Sequence, residues 1–256
     1  MTAATADASP HPAWRQGLNV SAYALVITVN ALANALPING ITSGAVSDRH
    51  PTFVTPAGYV FAIWGVIYAL LAVFAGWQAL PAQRDDGRMQ RLGLAFAASC
   101  LCNAAWLFAW HHLQIALAWV LIVALLATLI VCYERLRGPV GSRVEWLAVR
   151  LPFSVYLGWV TVATIANTAI LAVDAGIDGG DTAPLSGAVA LAAASAIGLL
   201  MLARRGDVAF VLVLVWAFAG IAVAQADRSG LIPVVAGTAA VLLAAAAAVT
   251  WQRSRV

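Results

Sequence analysis

Eight apolar stretches, each close to the length that crosses a lipid bilayer, occupy most of this 256-residue chain: roughly 18–38, 56–80, 92–110, 113–133, 147–173, 185–203, 208–225 and 230–251. About 20 apolar residues in helical form span the ~30 Å of bilayer hydrocarbon. Inside lipid, a helix satisfies its own backbone donors and acceptors. The pattern therefore predicts an all-α, polytopic transmembrane helical bundle of about eight spans. Little chain remains for a soluble domain, the longest polar stretch being a tail over 1–17.

The charges orient that bundle. There is no Lys, so all 14 basic residues are Arg. With eight spans and an inside N-terminus, the inside segments hold Arg15, Arg84, Arg88, Arg91, Arg135, Arg137, Arg143, Arg150, Arg204, Arg205, Arg253 and Arg255. The outside segments hold only Arg49 and Arg228. Positive charge stays in cytoplasmic loops, so both termini are expected in the cytoplasm of a cell that carries the protein in its inner membrane. The formal net charge of +3 follows from this topology, and no basic stripe suggests nucleic acid. Arg15, an apolar run and Ala33-Asn34-Ala35 also resemble a cleavable signal peptide. Asn30 interrupts that run, so the segment reads as the first span.

Composition shifts near Asp174–Pro184 (DAGIDGGDTAP), a turn-rich outer loop without Arg. Before it the spans are rich in Trp, Tyr, Phe and Asn. After it they are rich in Ala, Leu, Val and Gly, the small residues that let helices approach closely in lipid, with Trp216 and Gln225 as the notable exceptions. The division expected is a tail over 1–17, a five-helix ligand-binding unit over 18–173 and a three-helix extension over 184–251.

Seven of the ten Trp fall between Trp64 and Trp159. Trp77, Trp146 and Trp251 lie at span ends, where the ring sits half wet at the interface. Trp64, Trp106, Trp110 and Trp159 fall in stripes. Phe61, Trp64 and Tyr68 are spaced by three and four and share a helix face. Asn103, Trp106 and Trp110 repeat that spacing, as do Tyr156, Trp159, Ala163 and Asn167. The first span adds Asn30 and Asn34. With alternating span directions, Asn30, Asn34, Tyr59, Phe61, Trp64, Asn103, Trp106, Trp110 and Asn167 lie in the outer half or near the membrane midplane, under a loop over 39–55 that carries Gly40, Gly44 and Pro51. Each stripe is also what ordinary helix packing produces, with Asn bonding between helices. Convergence at one depth points to an apolar pocket holding a few polar groups, the usual form of a small-molecule site.

Other candidates are weaker. His111 and His112 occupy an outer turn and His50 the loop; imidazole suits metals or haem iron, but no Cys, Asp or Glu is near His111 and His112 in sequence. No metal site is expected. Cys100, Cys102 and Cys132 all fall within spans and read as small buried hydrophobes. No Asp, Glu, Lys or Arg lies deep in a span, which disfavours an ion-coupled pump. No catalytic Ser-His-Asp set, phosphate loop or zinc-helix motif occurs.

The stripes resemble the TspO/MBR family, the tryptophan-rich sensory proteins related to the mitochondrial translocator protein. The family's second helix carries Pro-x-x-Trp-x-Phe…Trp-x-x-x-Tyr, matched by Pro56, Tyr59, Phe61, Trp64 and Tyr68. Its third carries Asn-x-x-Trp followed by aromatics, matched by Asn103, Trp106, Phe108 and Trp110. Its fifth carries Pro-Tyr-Leu-x-Trp and a later Leu-Asn, matched by Tyr156, Leu157, Trp159 and Asn167. Tyr59 replaces a Trp, Val155 a Pro, and a fourth-helix Asp is replaced near Trp119. The five-helix family has no counterpart for the last three spans.

The resemblance implies a receptor or sensor for a flat hydrophobic ligand, a porphyrin- or haem-type tetrapyrrole or a sterol or other isoprenoid. Tyr59, Phe61, Trp64, Tyr68, Asn103, Trp106, Trp110, Tyr156, Trp159 and Asn167 are the residues it places at the ligand. Trp64, Trp106 and Trp159 would stack, while Asn103 and Asn167 would orient polar edges. A transporter of such ligands and an enzyme modifying a pigment or isoprenoid stay open; light-driven porphyrin breakdown, attributed to some members, would fall on Trp64. The partners implied are the lipid bilayer and a hydrophobic small molecule, with a bound tetrapyrrole as the cofactor-like group and room for a homodimer.

Overall fold

The computed structural model describes residues 13–36 and 38–253, with the side chains of Asn34 and Ala35 left out. Most of the 1–17 tail, and Asn34 as a pocket residue, therefore fall outside the described part. Among the described residues there are eight long helices: α1 (Ala13–Ala35), α2 (Ile63–Ala79), α3 (Ala95–His111), α4 (Ile115–Arg135), α5 (Leu151–Asp174), α6 (Ala183–Arg205), α7 (Val208–Ala224) and α8 (Ile232–Arg253). Among the described residues there is no strand. The protein is an all-α polytopic bundle, and among the described residues six helical segments are long and apolar enough to cross a membrane. The segments containing α3 and α7 are shorter, each helix having 17 residues.

Helix α5 is the hub. Residues 152–162 are all buried, as expected of a helix apolar on every side, because α2, α4 and α7 all pack against it. Pro152 lies in its first turn, just after a π-helical turn at Trp146–Arg150. Proline lacks the N–H that a regular ladder would use there. Helix α1 packs on α2 and α3, α3 on α4, and α4 on α5, which closes a ring of five helices. Helices α6 and α8 then pack on α7 and on each other. The sharp turn between α6 and α7 uses Gly206 in the left-handed region (φ 62°), a cap that glycine adopts without strain, followed at once by Asp207, which caps α7 by accepting from the Phe210 N–H (3.0 Å).

The Arg-rich connections gather at one end. Arg91 donates to the Arg135 and Arg137 carbonyls that terminate α4 (3.4 and 3.1 Å), and Arg205 donates to Glu134 (2.9 Å). Arg88 bridges Asp86 (2.6 Å) and Glu145, tying the α2–α3 connection to the start of the fifth span. Burial raises the Asp86 carboxyl, but the hydrogen bonds and charge of Arg88 outweigh it and hold the group below its ordinary value. At this end Gln16, Asn19 and Gln78 bind one another between α1 and α2, with Gln16 donating to the Gln78 carbonyl (2.7 Å) and Asn19 to the Gln78 side chain (3.4 Å).

Candidate functional site

At the opposite end, a turn at Ile38–Gly40 and a short helix at Ser43–Asp48 cross the bundle between α1 and α2. Thr42 caps that helix by accepting from the Ala45 N–H (3.3 Å). The crossing segment is pinned at three points. Asn39 donates to the His111 carbonyl (3.1 Å), the Trp110 indole to the Ser43 carbonyl (3.1 Å), and His50 pairs with Asp174 (3.2 Å). The loop expected over 39–55 as a cover thus contains a tethered helix. His111 is buried, with Nδ1 on the Leu107 carbonyl (2.9 Å) and Nε2 facing Ser43 Oγ (3.5 Å), so both its nitrogens serve the fold.

Below this cover the stripes meet around Trp64. Its ring stacks on Tyr68 (5.6 Å between centroids, 16°), tilts on Trp106 (5.8 Å) and presents edges to Tyr156 and Trp159 (6.1 Å each). Phe61 packs edge-on against Trp159 (5.9 Å), and Trp110 stacks behind Trp106 (5.8 Å). Offset and edge-to-face pairs at 4.5–7 Å are the attractive aromatic geometries. A line of buried polar groups runs beneath. Asn103, fully buried, accepts from Asn30 Nδ2 (3.1 Å) and Tyr68 Oη (3.3 Å) and donates to Tyr156 Oη (2.7 Å). Asn167 accepts from the Trp106 indole (3.3 Å) and donates to its own helix at Ala163 (2.9 Å).

Phe61, Trp64, Tyr68, Asn103, Trp106, Trp110, Tyr156, Trp159 and Asn167 therefore come together. Tyr59 does not. It is half exposed and packs edge-on against Trp216 of α7 (5.5 Å); it lies two residues from Phe61 and five from Trp64, off the three-and-four spacing that puts Phe61, Trp64 and Tyr68 on one face.

Two cavities flank the stack. One, of about 30 Å³, lies among Trp64, Trp106, Trp110, Trp159 and Asn167; beside it the Trp159 indole N–H is buried without a partner. The other, of about 650 Å³, lies between α1, the crossing helix and α2, walled by Phe61, Trp64 and Tyr68 and edged by Asn30, Thr42, Ser43 and Asp48. Phe61 and Trp64 line both. Thr42, Ser43 and Asp48 are not legible in the sequence because they sit in a short connection whose packing against the end of α3 no helical period reports.

With that geometry in place, comparison with known proteins is decisive at one level. The family model for TSPO-like proteins matches residues 16–249. The chain belongs to the TSPO-like family. No curated protein and no solved structure matches it. The TSPO-like match runs through α6, α7 and α8, so the last three helices lie inside the matched region although a five-helix comparison leaves them over. Their structural role in this TSPO-like protein is visible. Gln225 Nε2 donates to the Thr52 and Thr55 carbonyls (3.1 Å each), the Trp216 indole to the Val60 carbonyl (3.1 Å), and the Ala57 N–H to the Gly220 carbonyl (3.1 Å). Arg228 adds a bond to the Thr52 carbonyl (3.3 Å) and lies over the Phe53 ring. These bonds fix the segment that delivers Phe61 and Trp64 to the site.

Proposed function

We propose that this TSPO-like membrane protein is a receptor that holds a flat hydrophobic ligand in the larger cavity, against the faces of Phe61, Trp64 and Tyr68. The observation that carries the reading is a volume of about 650 Å³ beside a continuous aromatic stack. Small-molecule sites have about 300–1,000 Å³ and apolar walls with a few placed polar groups. The ligand class is a porphyrin-type ring or a sterol or isoprenoid body. Trp106, Trp110, Tyr156 and Trp159 act behind the wall, holding Trp64 in place, and Asn103 and Asn167 hold the helices that carry them.

In the same reading the Arg-rich end faces the cytoplasm of a cell membrane and the cavity lies in the outer half. A reporter fused after Arg253 is expected to be active only in its cytoplasmic form; an extracytoplasmic signal inverts the topology.

The cavity is tested by titrating a neutral porphyrin ester into the protein in lipid nanodiscs and following the porphyrin's absorption band. Saturable binding is expected. Trp64→Leu should weaken it about tenfold, since an aromatic pair contributes about 0.5–1.5 kcal/mol beyond its buried area and 1.4 kcal/mol is a factor of ten. Unaltered affinity in a variant that keeps its thermal stability overturns the reading.

A further inference from the structure

The charge of the cavity edge narrows the ligand further. We propose that the cavity discriminates against negative charge, so that its ligand is a flat amphiphile whose polar end is neutral or cationic. This rests on the reading of the cavity as a ligand site.

Among the described residues Asp48 is the one carboxylate on the lining, and no Arg or His lies on it. The other polar edges are the Thr42 and Ser43 hydroxyls and the Asn30 amide. Asp48 is exposed at the rim, and no salt bridge among the described residues engages it. The basic groups at this end of the bundle lie outside the lining, His111 and His112 among them, although His111 Nε2 faces the Ser43 hydroxyl at 3.5 Å. His50 is held by Asp174, Arg228 by the Thr52 carbonyl and Gln225, and Arg49, although next in the chain, lies outside the lining. A carboxylate without a cation repels an anionic ligand end and accepts from a hydroxyl, amide or ammonium donor. A ligand head seated among Thr42, Ser43 and Asp48 would lie well within the ~8–10 Å over which salt screens exposed charges.

A matched pair of probes separates charge from shape: protoporphyrin, with two propionates ionised at pH 7, and its neutral dimethyl ester. Both are titrated into the protein in nanodiscs of zwitterionic lipid, so that the bilayer adds no net charge. The ester is expected to bind at least about tenfold more tightly than the dianion. The ester also partitions better into lipid, so the decisive readout is the ratio of the two affinities in variants. Asp48→Asn should strengthen the dianion and leave the ester unchanged, and Asp48→Arg should favour the dianion more strongly still. The exposed position lets each variant keep the fold, which a thermal scan verifies. A ratio that Asp48→Asn does not move, or a dianion bound as tightly as the ester by the unaltered protein, overturns the charge rule and leaves the cavity standing. No binding of either porphyrin overturns the cavity itself, and the charge rule with it.

Discussion

An Asn103→Leu variant is expected to unfold in detergent at a temperature roughly 5–10 °C below that of the unaltered chain. Asn103 is fully buried and holds Asn30, Tyr68 and Tyr156 at once. Asn30 keeps its bond to the Val26 carbonyl (2.9 Å) when Asn103 is lost; Tyr68 loses its hydroxyl's acceptor, and Tyr156 the donor on its own. Each buried polar group left unsatisfied costs about 1–3 kcal/mol, less where the unfolded chain in lipid finds other partners. Roughly 2–4 kcal/mol in all is therefore expected, at about 2–4 °C per kcal/mol for a chain of this size. In water, Leu would recover part of this by leaving solvent. Within a bilayer both states are apolar, so that gain is absent and the lost bonds stand unopposed. Asn167→Leu is the comparison. It removes one bond to Trp106, the amide's other bond being to its own helix, and should cost less than half as much. The buried thiols of Cys100 and Cys132 supply the assay, since a thiol-reactive dye labels them as the bundle opens. Equal effects of the two variants would mean that the Asn103 node adds nothing beyond local packing.

What the sequence discloses and what it hides divide along the range of the forces. Span number, helical class and the stripes depend on periods of three and four within single helices. All of these are visible because lipid forces each span to satisfy its own backbone. The convergence of Phe61, Trp64, Trp106 and Trp159 follows from stripes at one depth. Tyr59 departs because it stands two residues from Phe61 and five from Trp64, off the three-and-four period that unites Phe61, Trp64 and Tyr68. His111 and His50 could be read from sequence only as polar positions; their partners, Ser43 and Asp174, lie 68 and 124 residues away. Asp48 and Ser43 reach the cavity only because the 38–48 segment folds across the helices. The anchoring of residues 52–60 by Gln225, Trp216 and Gly220 is likewise a long-range fact. Trp216 and Gln225 do stand out within three spans of small residues, and both prove to hold that segment.

Gly158→Leu is expected to part α7 from α5, and with it to loosen the cavity at a distance. A side chain at Gly158 would begin 3.0 Å from the Phe210 carbonyl oxygen, 3.1 Å from the Val213 Cβ and 3.4 Å from the Phe210 Cα. The obstacle is largely backbone, which cannot rotate aside as a flexible side chain would. Overpacking of this kind costs about 1–3 kcal/mol and occasionally more; here the upper end applies, because α7 is also held by α6 and α8. Helix α7 carries Trp216 and the Gly220 carbonyl, and Gln225 follows it. Displacing α7 therefore strains the bonds that fix residues 52–60 ahead of Phe61 and Trp64. The same three helices could instead be an independent appendage, and the two arrangements predict different results. If α7 positions the site, Gly158→Leu lowers the unfolding temperature by roughly 5–10 °C and also weakens binding of the neutral porphyrin ester in the fraction that stays folded, although residue 158 touches neither cavity. Gly237→Leu serves as the control, since Gly237 on α8 has open space around it and should change neither quantity. A Gly158→Leu protein that loses stability but binds the ester with unchanged affinity would show that α6–α8 brace the bundle without shaping the site.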